Sequence, residues 1–379
     1  MIYQAQVTLL SPLVLTVRRA TGNDVETLTH IPGTTVRGAL AAAYLQGGSA
    51  EEDGFRDLFL SDKVRYGNLR VDGADPWPLS ARTCREAGLK HPILDLLLTR
   101  AAGRQTNAEC QQYVDGELDP CGAKVEQPWG FMKWGKGGAQ KRYVEKKPVL
   151  RRTAHSAIDS FLLKTKTAQL FSVAGLEPLQ KFQGRITAEG SAIQALEQLA
   201  KANPELRLGR ARTRGRGRVG LQLIRVGEGP SASDRARATQ RIEEMQRKAK
   251  ELGGSLARSH VVTVTLQSPA LFWDEYLMAR AWLDAASAGL HPDWQLAGWY
   301  SQMTTIAGWH AAARVPRTVT PMVAAGSCFA YKTTGPVDLH ALAEWAVKLE
   351  LEGVGERRDE GFGEVAVCHE LHVRHAEAT

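Results

Sequence analysis

An internal echo constrains this chain more than any other feature. Val7-Thr8-Leu9-Leu10-Ser11-Pro12 returns as Val264-Thr265-Leu266-Gln267-Ser268-Pro269, and Gly215-Arg216-Gly217-Arg218-Val219 returns as Gly361-Phe362-Gly363-Glu364-Val365. Each half opens on a strand-like run ending in Ser-Pro and closes with a helix-patterned segment, a glycine loop and a last strand. Between these, FSVAGLEPL from Phe171 matches MVAAGSCFAY from Met322. Two tandem copies of one α+β unit explain the 379 residues. The expected limits are 1–226 for the first unit, with an insertion at about 50–150, 227–259 for a charged helical linker, and 260–379 for the second unit.

The glycine loop of the first unit reads LGRARTRGRGRVGL, with Arg210, Arg212, Arg214, Arg216 and Arg218 at every second position. Gly209, Gly215 and Gly217 free the backbone to approach a ligand closely. The chain carries a formal charge of +7, gathered into patches, which favours a polyanionic partner over a small acidic metabolite. Gly215, Gly217 and Gly220 spell G-x-G-x-x-G, but the loop leaves a helix and enters a strand, the reverse of a dinucleotide site. No Lys-Ser or Lys-Thr follows the glycines, so a P-loop is excluded as well.

Further signals surround this loop. In IPGTTVRGAL, Thr34 or Thr35 caps a helix whose first amides, beside Gly33 and Arg37, form an anion site. The end of the insertion interleaves Lys133, Lys136, Lys141, Arg142 and Arg152 with Trp129, Phe131, Trp134 and Tyr143. Cations for phosphates and rings for bases are what single-stranded nucleic acid requires. The second glycine loop, GVGERRDEGFGEV, has Arg357 and Arg358 balanced by Glu356, Asp359, Glu360 and Glu364, so the two loops are not expected to be equivalent sites. Cys84, His91, Cys110 and Cys121 form the one metal constellation, a set suited to a structural zinc ion, although none makes a C-x-x-C pair. No other cofactor is expected. Five cysteines and the lack of a long apolar run point to a reduced, cytoplasmic protein without a membrane span. The linker carries a stripe of Ala238, Ile242, Met245, Ala249 and Leu252, suited to packing on the protein's own sheet.

The tandem units, the glycine loops and IPGTTVRGAL together resemble the RAMP superfamily of CRISPR-associated proteins. The order IPGTTVRGAL, AIDSFLLKTKTAQLFSVAGLEP, IAGWHAAARVPRTVTPMVAAGSCFAY and GVGERRDEGFGEV is similar to the subtype III-D subunit that caps the five-prime end of the guide RNA. The resemblance implies two tandem ferredoxin-like (RRM-like) domains. It also implies a hold on the repeat-derived handle of the guide RNA, contacts with a large polymerase-like subunit and RAMP backbone subunits, and target RNA met only indirectly. Handle phosphates would then lie against Gly33, Thr34, Thr35 and Arg37, and against the loop 353–363, with Arg357, Arg358, Gly361 and Gly363.

A non-catalytic RNA-binding subunit of a type III effector complex is therefore the leading expectation. The rival is a guide-processing endoribonuclease of the same superfamily with His30 as general acid or base beside the anion-binding turn. A DNA-binding architectural protein would explain the charge, but neither the repeat nor the aromatic loop.

Overall fold

The computed structural model describes residues 1–16, 23–105, 109–110, 121–137, 140–158, 165–310 and 315–374. The side chains at 134–143, and with them Trp134, Lys136, Lys141 and Arg142, lie outside the described residues, as do those at 157–169, 309–310 and 374. In chain order the helices are α1 (Gly33–Tyr44), α2 (Asp53–Phe59), α3 (Leu96–Ala101), α4 (Ala192–Ala202), α5 (Ala232–Leu252), α6 (Leu339–Glu352) and α7 (Glu370–Arg374).

Alternation builds the first sheet. In the strand Ile2–Leu9, Tyr3, Ala5, Val7 and Leu9 are buried and the residues between them face outward. This strand pairs antiparallel with Lys181–Ala188 on one side and Arg218–Gly227 on the other, and Val64–Tyr66 lies beyond Lys181–Ala188. Counting these four strands along the chain, their spatial order is fourth, first, third, second. Val36 and Leu40 of α1 and Leu196 and Leu199 of α4 join the sheet residues in one core.

The second sheet repeats the order with His260–Leu266, Gln295–Tyr300, Cys328–Thr333 and Val365–Val367. Consecutive residues Val261 to Leu266 are all buried, as expected where both faces of a strand are covered. No helix lies between the first and second of these strands, in 267–294, and α5 fills the gap in the layer. Its stripe of Ala238, Ile242, Met245, Ala249 and Leu252 is buried in the second core, and the Gln246 amide holds the Val261 backbone N–H and C=O at 2.9 and 2.7 Å. The charged helix of the expected linker is thus one layer of the second core. A Ser231/Asp234 capping box starts it.

The segment expected as an insertion is divided in its duties. Phe55, Leu58 and Phe59 of α2 and Val64 and Tyr66 belong to the first core, whereas Leu97, Leu98 and Ala101 of α3 belong to the second. Asp95, fully buried, caps α3 through Leu97 N–H. It accepts from Ser80 Oγ at 2.5 Å and lies 2.7 Å from His372 Nδ1, and His372 Nε2 lies 2.8 Å from Thr265 Oγ1. Burial raises the Asp95 carboxyl, but His372 and these hydrogen bonds outweigh it and hold the group below the usual range. The hairpin Phe131–Gly137/Gln140–Lys146 and the longer pair Leu150–Ile158/Thr165–Leu176 complete the inserted region.

The two echoes in the sequence meet in space. Gly217 N–H donates to Pro12 O and Gly363 N–H to Pro269 O, both at 2.9 Å. Leu208 N–H donates to Gly217 O and Val354 N–H to Gly363 O, both at 2.8 Å. Ser11 Oγ accepts from Arg218 N–H at 2.8 Å, and Ser268 Oγ from Glu364 N–H at 2.9 Å. Each loop enters a short 3-10 turn through a left-handed residue, Ala211 in one and Arg357 in the other. The Ser-Pro motif is therefore the floor on which each glycine loop is folded.

A Cβ at Gly363 would stand 1.8 Å from Val354 O with φ at +73°, whereas one at Gly215, at φ +79°, would meet nothing within 4 Å. Gly215→Ala should therefore cost only the left-handed penalty of about 1–2 kcal/mol. Gly363→Ala adds a backbone collision and should cost roughly 3 kcal/mol or more. Urea denaturation midpoints of the two variants check the difference; equal losses would mean that the carbonyl contact is relieved at no cost.

Candidate nucleic-acid interface

The two glycine loops share a backbone and differ in surroundings. The second one docks on the first unit. A Cβ at Gly361 would lie 2.3 Å from Tyr66 O, so only glycine lets the loop lie against the Tyr66–Gly67 backbone. Arg37 of α1 reaches Asp359 at 2.9 Å and Glu360 at 3.5 Å, and also donates to Phe59 O. Glu360 further receives Arg357 at 2.5 Å and Arg317 at 2.9 Å. Arg70 extends the seam, donating to Gln267 O at 2.7 Å and lying 3.5 Å from Glu364. Burial raises the Glu360 carboxyl, but Arg357, Arg317 and Arg37 reverse this and hold it below the usual glutamate range.

This arrangement corrects the expected anion site at α1. Gly33 N–H is taken by Asn68 Oδ1 at 2.9 Å and Thr35 N–H by Pro32 O at 2.9 Å. Neither Thr34 nor Thr35 caps the helix, whose N-cap is Pro32 without a side-chain bond. Arg37 is engaged by acids rather than open to phosphate. In the second loop Arg357 is tied to Glu360 and lies 5.0 Å from the Phe362 ring. Arg358 is exposed and lines a small seam cleft with Arg65 and Arg185. Sequence reasoning did not reach Arg65 and Arg185, which lie in ordinary strands with no local signal.

The first loop is open. Arg210, Arg212, Arg214 and Arg218 are exposed. Among the described residues no acid pairs with Arg210, Arg212 or Arg214, while Arg218 meets Glu205 at 3.0 Å. Arg216 turns inward to His155 Nε2 at 3.0 Å and Thr153 Oγ1 at 3.3 Å, so the long pair Leu150–Ile158/Thr165–Leu176 stands beside the loop. In the aromatic stretch, Phe131 and Met132 are buried, Trp129 is exposed under Lys147, and Lys133 donates to Asp72 O at 2.6 Å. Arg152 is paired with Asp24.

His30 is half-buried, and burial, reinforced by the Arg70 guanidinium, pushes its imidazole down to about 4. It is neutral at physiological pH and a weak base. The metal constellation is assembled: the donor atoms of Cys84, His91, Cys110 and Cys121 all lie within 4.8 Å of one another. No helix among the described residues is long and apolar enough to cross a membrane.

A family model described as CRISPR-associated protein (Cas_Cmr3) matches residues 131–370. The match covers more than half of the chain, which belongs to this family of CRISPR-associated proteins. No curated protein matches it. Among solved structures it is similar to a chain of a type III-B Cmr-beta complex bound to cognate target RNA and AMPPnP, at 15% identity and TM-score 0.45 over 86% of each chain. A Cas6 product complex matches at 10% identity and TM-score 0.37 over 97% of this chain and 99% of that one. Cmr4 (Cas7) of Pyrococcus furiosus matches at 13% identity and TM-score 0.28 over 60% of this chain and 100% of that one.

The seam makes a pH prediction. A carboxyl held below its unfolded value stabilises the fold above that value, about 4.3 for glutamate, and the contribution is lost as pH falls through the lower folded value. Stability of the wild-type chain should decline below about pH 4.3, and part of the decline should vanish in Glu360→Gln. Arg37→Ala should cost about 1–3 kcal/mol at pH 7. Denaturation curves from pH 3 to 7 test both; a Glu360→Gln profile identical to the wild type would contradict the assignment.

Proposed function

We propose that this chain is a non-catalytic subunit of a type III effector complex that holds the repeat-derived handle of the guide RNA, with the first glycine loop as its principal phosphate contact. The observation that carries this reading is the contrast between two loops of one backbone. One is docked through its acids on Arg37, and the other presents Arg210, Arg212 and Arg214 to solvent around Gly215. An exposed row of cations with no acidic partner among the described residues suits a polyanion read by its backbone. Arg358 in the seam cleft offers a second phosphate contact.

In this reading the two sheets are the cores of tandem ferredoxin-like domains, with limits near those expected from the sequence, and the large polymerase-like subunit and RAMP backbone subunits are the protein partners. The subtype III-D placement rests on the order of the sequence motifs. Cytoplasmic location goes with the reading. The low His30 value supports the non-catalytic assignment, because a group ionising at about 4 is a poor proton carrier near neutrality.

Single-stranded repeat RNA should bind the chain with strongly salt-dependent affinity. For flexible RNA each lost phosphate contact removes about 0.7 from the logarithmic salt slope, so replacing Arg210, Arg212 and Arg214 by Ala should shrink it by about 2. Arg357→Ala, already neutralised by Glu360, should leave the slope nearly unchanged. An unchanged slope in the triple variant would remove the first loop from the interface. The chemistry is tested separately: His30→Ala should not alter the integrity of repeat RNA incubated with the protein and chelator, and loss of a specific cleavage would instead install the endoribonuclease.

A further inference from the structure

We propose that Cys84, His91, Cys110 and Cys121 bind one zinc ion in a closed structural site that fixes the inserted region. The inference does not depend on the RNA reading. Cys84 Sγ and Cys121 Sγ are 3.8 Å apart, and His91 Nδ1 and Cys110 Sγ are 3.3 Å apart. A tetrahedral ion with bonds of about 2.3 Å to sulfur and about 2.0 Å to nitrogen spaces its ligands by roughly 3.5–3.8 Å. The widest separation in the cluster, 4.8 Å, needs only a small contraction to fit.

The backbone around the sulfurs is shaped for this. Residues 84–88 form a tight turn in which Gly88 N–H donates to Cys84 O at 2.8 Å and Ala87 N–H points at Cys84 Sγ at 3.4 Å. An amide aimed at sulfur favours the thiolate, the form that binds metal. On the opposite side Cys110 N–H donates to Ala123 O at 2.7 Å and Gly122 N–H to Cys110 O at 3.0 Å, which sets Cys110 and Cys121 together. Arg85 N–H donating to Lys124 O at 3.0 Å joins the two halves. Ala87 stands where a second knuckle cysteine would be, and His91 completes the set instead.

The donor chemistry selects the ion and its role. Three sulfurs and one imidazole suit zinc rather than magnesium, calcium or manganese, and four protein ligands leave no open position for a substrate. A disulfide between Cys84 and Cys121 would need sulfurs about 2.05 Å apart. The local apolar cluster is small, consisting of Trp77, Ala81, Ile93, Met132 and Leu371 with Leu89 against it. So small a core needs a staple. The stapled segment runs directly into Asp95 and α3, which packs in the second core, so the ion would steady the bridge between the two units.

Elemental analysis of the full-length protein, purified reduced from zinc-supplemented cells and freed of loose metal by gel filtration, should find one zinc per chain. Cys110→Ser should lose it, while Cys368→Ala, outside the cluster, should keep it. If Cys110→Ser does not fold, cobalt substitution of the wild-type chain decides: tetrahedral sulfur-rich ligation gives intense visible bands and a sulfur-to-cobalt transition in the near ultraviolet. Removing the ion with a chelator should lower the melting temperature by several degrees. The proposal is overturned by wild-type protein without stoichiometric zinc and without a cobalt spectrum, by a Cys84–Cys121 disulfide in the reduced preparation, or by zinc retained in Cys110→Ser.

Discussion

The ion cluster of Arg37 with Asp359 and Glu360 is the interaction on which the rest of the arrangement depends. It joins a helix near the start of the chain to a loop near its end, and it lies beside the contact of Gly361 with the Tyr66–Gly67 backbone. Charges so largely shielded must be paired, since removing one partner leaves the other desolvated. The pairing is over-determined, with Glu360 facing Arg37, Arg317 and Arg357 together. Arg70 on Gln267 O and Asp95 against His372 add two further ties between the units.

Once that seam exists, the two halves of the repeat can no longer do the same thing. Both loops fold by the same rule: a Ser-Pro strand end accepts two loop amides, and glycine supplies positive φ where the chain passes a carbonyl. Their side chains then decide the outcome. Thr213 and Arg214 occupy in the first loop the places that Asp359 and Glu360 hold in the second. Acids at those places find Arg37 inside the molecule, whereas a cation there finds no acid among the described residues and stays in solvent. Duplication of a unit thus yields one loop docked inside the molecule and one whose cations stay open to solvent.

The repeat was legible because it lies in residues whose roles are backbone roles, namely glycine, proline and the strand residues between them. The stripe on α5 was legible by its spacing, but its place in the second core was not, because nothing local says that 267–294 lacks a helix to fill that layer. Charge balance in GVGERRDEGFGEV distinguishes the second loop within the sequence; where those acids go depends on Arg37, more than 300 residues earlier. A separation of 35 residues hid the capping of Gly33 by Asn68, so IPGTTVRGAL read as a free anion site when its first amide is occupied. Cys84, His91, Cys110 and Cys121 were found by residue type alone, and only the fold brings them within reach of one ion.

Hydrogen exchange of backbone amides with and without repeat RNA tests the division of labour between the loops most directly. The account predicts that the exposed tip, residues 211–216, exchanges readily in the free chain and gains protection with RNA, while the corresponding residues 357–362, already docked, are protected in the free chain and change less. Protection gained across 357–362 and absent from 211–216 would contradict it.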